Sequence, residues 1–297
     1  NYPTGTGGQA LYEFSGNADS TSSSAYNGTA TDVLYAYNGT ASNITYGNGR
    51  FNEAASFTGT GSYISLPTGQ FNYSNFTISS WVLITSTLSA QGCILSTYMY
   101  VGGGPSKGYL FRVNTNMTVN FSGYYDDSGN SNNFNTTQTV PLNTWTHLAV
   151  TYNSTGNIII YINGTSAATQ ATASNPVRYE TNNNTTIGAM DYSSSTPVEQ
   201  FFVGNIDQMR IFSSALAAGD IQDLYNEHFP TKFTDGSDTA LMFTGGTGDI
   251  TFLDADPNFT ADYLVVGGGG AGGASGWGGG GGAGGLKTNF GGTAVSL

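Results

Sequence analysis

Apolar and polar positions alternate along much of the chain with a period of two, the pattern of strands that bury one face. Residues Phe76 to Ile84 (FTISSWVLI) form an apolar, β-branched and aromatic run that predicts a long buried strand. In His147 to Tyr152 the same period puts Leu148, Val150 and Tyr152 on one face. Asn157 to Ile162 follows after Asn153-Ser154-Thr155-Gly156, so the two runs predict a hairpin. Asn163 and Gly164, which both tolerate positive φ, supply the next tight turn. Gly188 and Gly204 punctuate two further strands, the second ending in Ile206 to Phe212. Helical spacing is convincing only at Ile221, Leu224 and Tyr225, after Asp220, which can cap a first turn. Many short strands, regular turns and one late helix predict an all-β fold, an antiparallel sandwich with a short C-terminal helix.

Beyond the helix the pattern changes. From Thr231 to Asp262, short strands (Leu241 to Phe243, Ile250 to Leu253) alternate with Gly and Asp turns, too little material for an independent core. From Gly267 to Gly285 the chain is almost wholly Gly, interrupted by Ala271, Ala274, Ser275, Trp277 and Ala283. Glycine loses the most entropy on ordering, so one reading of this run is a flexible linker. The other is ordered packing of extended glycine chains, including between copies, with Tyr263, Gly267, Gly270, Trp277 and Gly280 as assembly residues. The strand-like Asp262 to Val266 leading in and Trp277 in the middle favour the second. The expected organisation is a leader over 1–8, a sandwich over 9–229, a β connector over 230–262 and a glycine-rich segment over 263–297. The chain opens on Asn1-Tyr2-Pro3 rather than Met, and the expectation is a processed product or an excerpt that stops within a unit.

Charge narrows the function. Only 9% of residues are charged and the net charge is -12, with seven cations scattered as Arg50, Lys107, Arg112, Arg178, Arg210, Lys232 and Lys287. Tracking phosphates needs clustered cations, so nucleic-acid binding is excluded, and an anionic membrane surface is disfavoured for the same reason. No apolar run approaches the roughly 18 residues that span a bilayer. Cys93 is the single cysteine, so no intramolecular disulfide forms, and its apolar neighbours Ile94 and Leu95 favour inert packing.

Several segments together resemble the laminin-G-like, concanavalin A-like jelly-roll family. Leu11 to Asp19, Gly49 to Gly59 with Tyr63 to Pro67, the strand Phe76 to Val82, the pair Trp145 to Tyr152 with Ile160 to Gly164, and Gly204 to Tyr225 follow its motifs in order over roughly residues 9 to 228. The resemblance implies a jelly roll whose first and last strands meet. Asp19 and Asp207, with loop carbonyls, would then offer oxygens to a structural Ca2+; the alternative is a turn former and an exposed strand residue. Departures at Thr58 and Gln208, where acidic residues are frequent, weigh against the ion. Ala217, where a Ser often caps, should weaken the helix start. Thr260 to Val266 followed by polyglycine and Gly284 to Thr288 resembles the glycine-rich domain of phage tail fibres and related virion appendages.

An enzyme of this fold would need paired carboxylates. Glucanases place theirs as Glu-x-Asp-x-x-Glu along one strand, a spacing not found here, and Asp126 with Asp127 read as a turn before Ser128-Gly129-Asn130. His147 lies in a strand beside Trp145, and His228 ends the helix, where a positive charge suits the dipole. Both read as structural. Polyglycine matches G-x-G-x-x-G at several offsets, which carries no information. The expectation is a non-enzymatic protein. Glycan binding would use flat aromatic faces on loops, with Tyr98, Tyr100, Tyr124 and Tyr125 as candidates, against core packing as the alternative. The resemblances jointly imply a virion-surface structural protein (tail fibre, appendage or capsid fibre) whose head takes host-surface glycans. Its glycine-rich segment would join copies, as a homotrimer by analogy. A secreted microbial adhesin or polysaccharide-binding module is the second reading, and a glycan hydrolase the third.

Overall fold

The computed structural model describes residues 8–14, 16, 18, 37–51, 53–100, 104–172, 175–181, 183–191 and 199–227, together with the backbone of short strands between 231 and 296. The first strands are β1 Gly8–Tyr12, β2 Thr40–Ser42, β3 Thr45–Asn48, β4 Glu53–Thr58, β5 Tyr63–Leu66 and β6 Phe76–Ile84. Next come β7 Gly92–Ser96, β8 Met99–Tyr100, β9 Ser106–Lys107, β10 Tyr109–Val113, β11 Thr118–Tyr124 and β12 Ser131–Thr139. The sandwich closes with β13 Thr146–Tyr152, β14 Asn157–Ile162, β15 Thr165–Ala171, β16 Thr185–Ile187 and β17 Val203–Phe212, then the helix α1 Ala218–Asn226.

Two antiparallel sheets form the sandwich. One runs β15-β14-β13-β6-β17-β4-β3 with β1 also on β17, and the other runs β12-β11-β10-β7-β16-β5-β2. Strands adjacent in sequence repeatedly fall in opposite sheets, which makes this a jelly roll. The period-two alternation is realised: Phe76, Ile78, Val82 and Ile84 of β6 and Leu148, Val150 and Tyr152 of β13 face inward. They meet Tyr109, Phe111, Val113, Val119 and Phe121 of the second sheet. Phe76 sits at the centre, stacked on Tyr109 at 4.7 Å and on Tyr152 at 5.1 Å between ring centroids. The predicted turn after β14 holds Asn163 at φ 50° and Gly164 at φ 76°.

β17 carries two partners along one side. β4 pairs with Val203 to Ile206 and β1 with Met209 to Phe212. Between them the register shifts from Asp207 to Arg210 against β6, and Gln208 takes a φ of 48°. This bulge turns both Asp207 and Arg210 to the outer face of the first sheet.

α1 covers part of that face, burying Ile221 and Leu224 against Ala149, Tyr161, Phe212 and Leu216. Asp220 does not precede the helix as expected. It occupies the third helical position, where its Oδ2 accepts from the Ala217 amide at 3.1 Å, while Ala217 has no side chain to return the bond. The predicted weak start at Ala217 thus has a physical form: half a capping box.

The chain divides into two units, 1–246 and 247–297. In the first, β18 Thr231–Asp235 and β19 Asp238–Met242 pair as a hairpin. In the second, β20 Thr260–Ala261 pairs with β23 Val295–Ser296, and β21 Leu264–Val266 with β22 Leu286–Thr288. The strand expected to lead into the glycine run is therefore present. Val266 pairs with Leu286, so the residues flanking that run lie side by side. Ile250 to Leu253 and the assembly residues Tyr263, Gly267, Gly270, Trp277 and Gly280 lie outside the described residues, as does His228.

Candidate functional site

The outer face of the second sheet brings aromatic and amide groups together. On β10, Tyr109, Phe111 and Val113 point into the core, so Leu110 and Arg112 point out. Register places Cys93 and Asn120 beside Arg112, and Ser96 and Ser122 beside Leu110. At one end, Tyr98, Leu110, Met190 and Cys93 form a buried cluster against which half-buried Tyr100 and Tyr124 pack. The Tyr98 and Tyr124 rings are 5.3 Å apart and tilted by 56°. Tyr98 is 7% exposed, and its hydroxyl lies 2.8 Å from Ser106 Oγ. Three of the four predicted tyrosines thus share one cluster. Tyr125 does not join it; its amide donates to Asn130 O across the 126–130 turn.

At the other end, Arg112 organises a lattice of neutral groups. Its Nε donates to Asn120 Oδ1 at 2.8 Å, Nη1 to Gln200 Oε1 at 3.1 Å and Nη2 to Ser122 Oγ at 3.4 Å. Asn120 Nδ2 donates onward to Asn133 Oδ1, Asn135 Oδ1 and Phe134 O on β12, at 2.8 to 3.0 Å. Asn114 Nδ2 reaches Asn135 Oδ1 at 2.7 Å. Burial pulls the Arg112 guanidinium below its ordinary value. Burial likewise pushes the Cys93 thiol up to about 12, so this cysteine is an inert packing group.

Charges near the tyrosines are paired among themselves. Lys107 meets Glu180 and Asp127, and Arg178 Nη2 lies 3.0 Å from Asp127 Oδ2. Asp126 is a turn residue, as the sequence suggests. Its Oδ1 accepts from the Ser128 and Asn130 amides at 2.9 Å and its Oδ2 from Asn130 Nδ2 at 2.7 Å, and the bonds to Asn130 hold its carboxyl below the usual range.

The outer face of the first sheet holds a second, buried polar group. Trp81 stands between His147 on β13 and Asp207 on β17, and Tyr225 stacks on it at 5.7 Å. Arg50 Cζ lies 4.7 Å over the Trp81 ring. His147 is wholly buried with Nε2 2.8 Å from Ser79 Oγ, and burial pushes it down to about 3. It is neutral and structural at physiological pH.

Asp207 is buried rather than exposed on its strand. Its Oδ2 accepts from the Phe51 amide at 2.8 Å, and burial raises its carboxyl to about 7 against the opposing pull of nearby backbone amides and Arg210. Its Oδ1 is buried with no hydrogen-bond partner among the described residues, the one oxygen of Asp207 left for the structural Ca2+ that the family resemblance implies. Asp19 lies outside the described residues. Among the described residues no three metal-ligating side chains cluster.

Arg112, Asn120, Gln200 and Asn133 are the functional candidates that sequence reasoning passed over. The outward alternation of Leu110 with Arg112, and of Asn120 with Ser122, was the available signal. Gln200 lies 88 residues from Arg112 in the chain, and no local pattern announces it.

The family model for the concanavalin A-like lectin/glucanases superfamily matches residues 58–222, just over half of the chain. Domain 4 of an extracellular GH43 arabinanase from Geobacillus stearothermophilus, solved with arabinotriose, is similar at 20% identity and a TM-score of 0.54, covering 74% of this chain and 98% of that one. The binding domain of Paraclostridial Mosquitocidal Protein 1 is similar at 15% identity and a TM-score of 0.54, over 74% of this chain and 52% of that one. The binding domain of botulinum neurotoxin serotype G is similar at 14% identity and a TM-score of 0.52, over 80% of this chain and 65% of that one. No curated protein sequence matches the chain. With its motifs in order, two antiparallel sheets and a family match centred on them, the chain belongs to the concanavalin A-like lectin/glucanases superfamily.

Proposed function

We propose that this chain is a non-enzymatic structural protein of a virion appendage whose jelly-roll head binds glycans on the outer face of its second sheet. The observation that carries the glycan reading is the convergence of Tyr98, Tyr100 and Tyr124 beside the Arg112–Asn120 lattice. Aromatic faces suit the apolar faces of sugar rings, and side-chain amides pair with their hydroxyls, so the two ends of the site divide the work. Membership of a lectin-containing superfamily and likeness to an arabinanase domain solved with arabinotriose support a saccharide as the kind of ligand. The appendage reading is supported by the polyglycine that follows the head, which resembles phage tail-fibre segments. A homotrimer joined through that segment, displayed on the particle surface, completes it.

The arabinanase domain, part of an extracellular enzyme, favours one further reading: a secreted polysaccharide-binding module using the same face. One measurement separates these. Antibody labelling of purified particles places the protein on appendages under the first reading, and its absence from virions ends that reading. A glycan array probed with the full chain and with Tyr100→Ala and Tyr124→Ala variants, the two half-buried tyrosines, tests the face itself. At least a tenfold loss of binding in both variants is expected. Full retention of binding in folded variants would overturn the site. Incubation with glucans and alginates is expected to leave their viscosity unchanged, and a steady fall would make the protein an enzyme.

A further inference from the structure

Arg112 differs from the cations around it. Lys107 and Arg178 are neutralised by Glu180 and Asp127. Arg112 bonds only to the neutral oxygens of Asn120, Gln200 and Ser122, and no carboxylate lies within ion-pair distance of it among the described residues. Three of its five N–H donors are used, leaving two. A half-buried guanidinium bonded to neutral acceptors alone has its desolvation partly compensated, and its positive charge is left for an anionic group to meet. Its forked donors match a carboxylate better than a hydroxyl.

Position agrees with chemistry. Arg112 and Leu110 share one face of β10 two residues apart, so the guanidinium's base lies about 6.6 Å along the strand from the tyrosine cluster, the span of a monosaccharide. The net charge of -12 makes a general attraction for anions impossible, so selection of an acidic ligand would have to be local. We infer that the glycan face selects acidic saccharides, with a sugar carboxylate meeting the free edge of Arg112 while the ring packs by half-buried Tyr124. This rests on the glycan reading above and adds the ligand's class.

Calorimetric titration of the full chain tests it, using trigalacturonate and sialyllactose as acidic probes and arabinotriose and lactose as neutral ones. One acidic probe is expected to bind at least tenfold more tightly than its neutral counterpart, and which one identifies a uronic or a sialic source. That preference should shrink between 50 and 500 mM salt, where screening shortens from about 14 to about 4 Å. Arg112→Gln is expected to weaken acidic binding at least tenfold more than neutral binding, which also falls as Asn120, Gln200 and Ser122 lose their donor; a purely structural arginine would weaken both by the same factor. Arg112→Lys, which keeps the charge without the fork, should retain part of the preference and serves if the glutamine variant misfolds. Equal affinity for acidic and neutral probes, or a preference that survives Arg112→Gln, overturns the inference and leaves the glycan reading standing. Absence of binding in every arm sinks both.

Discussion

Arg210 on β17 is wholly buried, and its Nη2 donates to the carboxylate of Glu227, the residue that caps the end of α1. This contact ties the strand at the centre of the first sheet to the terminal helix. Removing one partner of a buried pair strands the other charge, which costs more than the pair itself contributes. Glu227→Ala is therefore expected to lower unfolding free energy by about 3 kcal/mol in urea denaturation. The double variant Arg210→Met with Glu227→Ala should lose less than the sum of the single changes. Strict additivity would show that the two side chains are not coupled.

The pH dependence of stability follows from two groups flanking Trp81. Asp207 is raised to about 7 from an ordinary 3.8, so between these values the folded state holds a proton that the unfolded state has lost. Its contribution falls as pH rises through that window. His147 is lowered to about 3 from 6.5, so between these values the unfolded state binds the extra proton, and its contribution grows with pH. The two slopes oppose each other from about pH 4 to 6.5. Asp207→Asn removes the falling slope, and its stability should climb with pH across this range by up to about 1.4 kcal/mol per unit. Urea midpoints of the variant at pH 4.5 and 6.5 check it. Parallel profiles for variant and native chain would mean that Asp207 is not the raised acid.

Much of the sandwich was legible because strand alternation is a local property. The run Phe76 to Ile84 became β6 to the residue, and Asn163-Gly164 the predicted turn, since both are set by neighbours in sequence. Asp220 was misplaced by three residues because a side chain that caps from within the first turn looks, in sequence, like one that precedes it. The burial of Asp207 could not be read. Its burial depends on a bulge at Gln208 and on the Arg50–Phe51 backbone 156 residues away in the chain. The tyrosine cluster was half legible: aromatic doublets stood out, but only the pairing of β10 with β11 shows that Tyr124 meets Tyr98 while Tyr125 turns aside.

Gly188 follows β16 at a φ of 80°, and an added Cβ would come 2.1 Å from the Phe57 ring. Phe57 packs edge-on against Phe202 in the core, so the ring has little room to retreat. Gly188→Ala combines backbone strain with overpacking and should destabilise the fold by on the order of 3 kcal/mol. Pairing it with Phe57→Leu, which shortens the clashing side chain, should recover part of that loss. A Gly188→Ala variant as stable as the parent in thermal unfolding would refute the close approach.

Ala217 offers the opposite kind of change. Its backbone already has the extended geometry of a helix cap, with φ -72° and ψ 159°, and its amide already donates to Asp220 Oδ2. What is missing is an oxygen that can accept from the first-turn amides. Ala217→Ser supplies it without altering the apolar face that Ile221 and Leu224 bury, and is expected to add about 1 kcal/mol of stability. The gain should depend on Asp220, because both halves of the box hold the same turn. In Asp220→Ala, the serine is expected to contribute less, and an undiminished gain there would show that the two caps act independently.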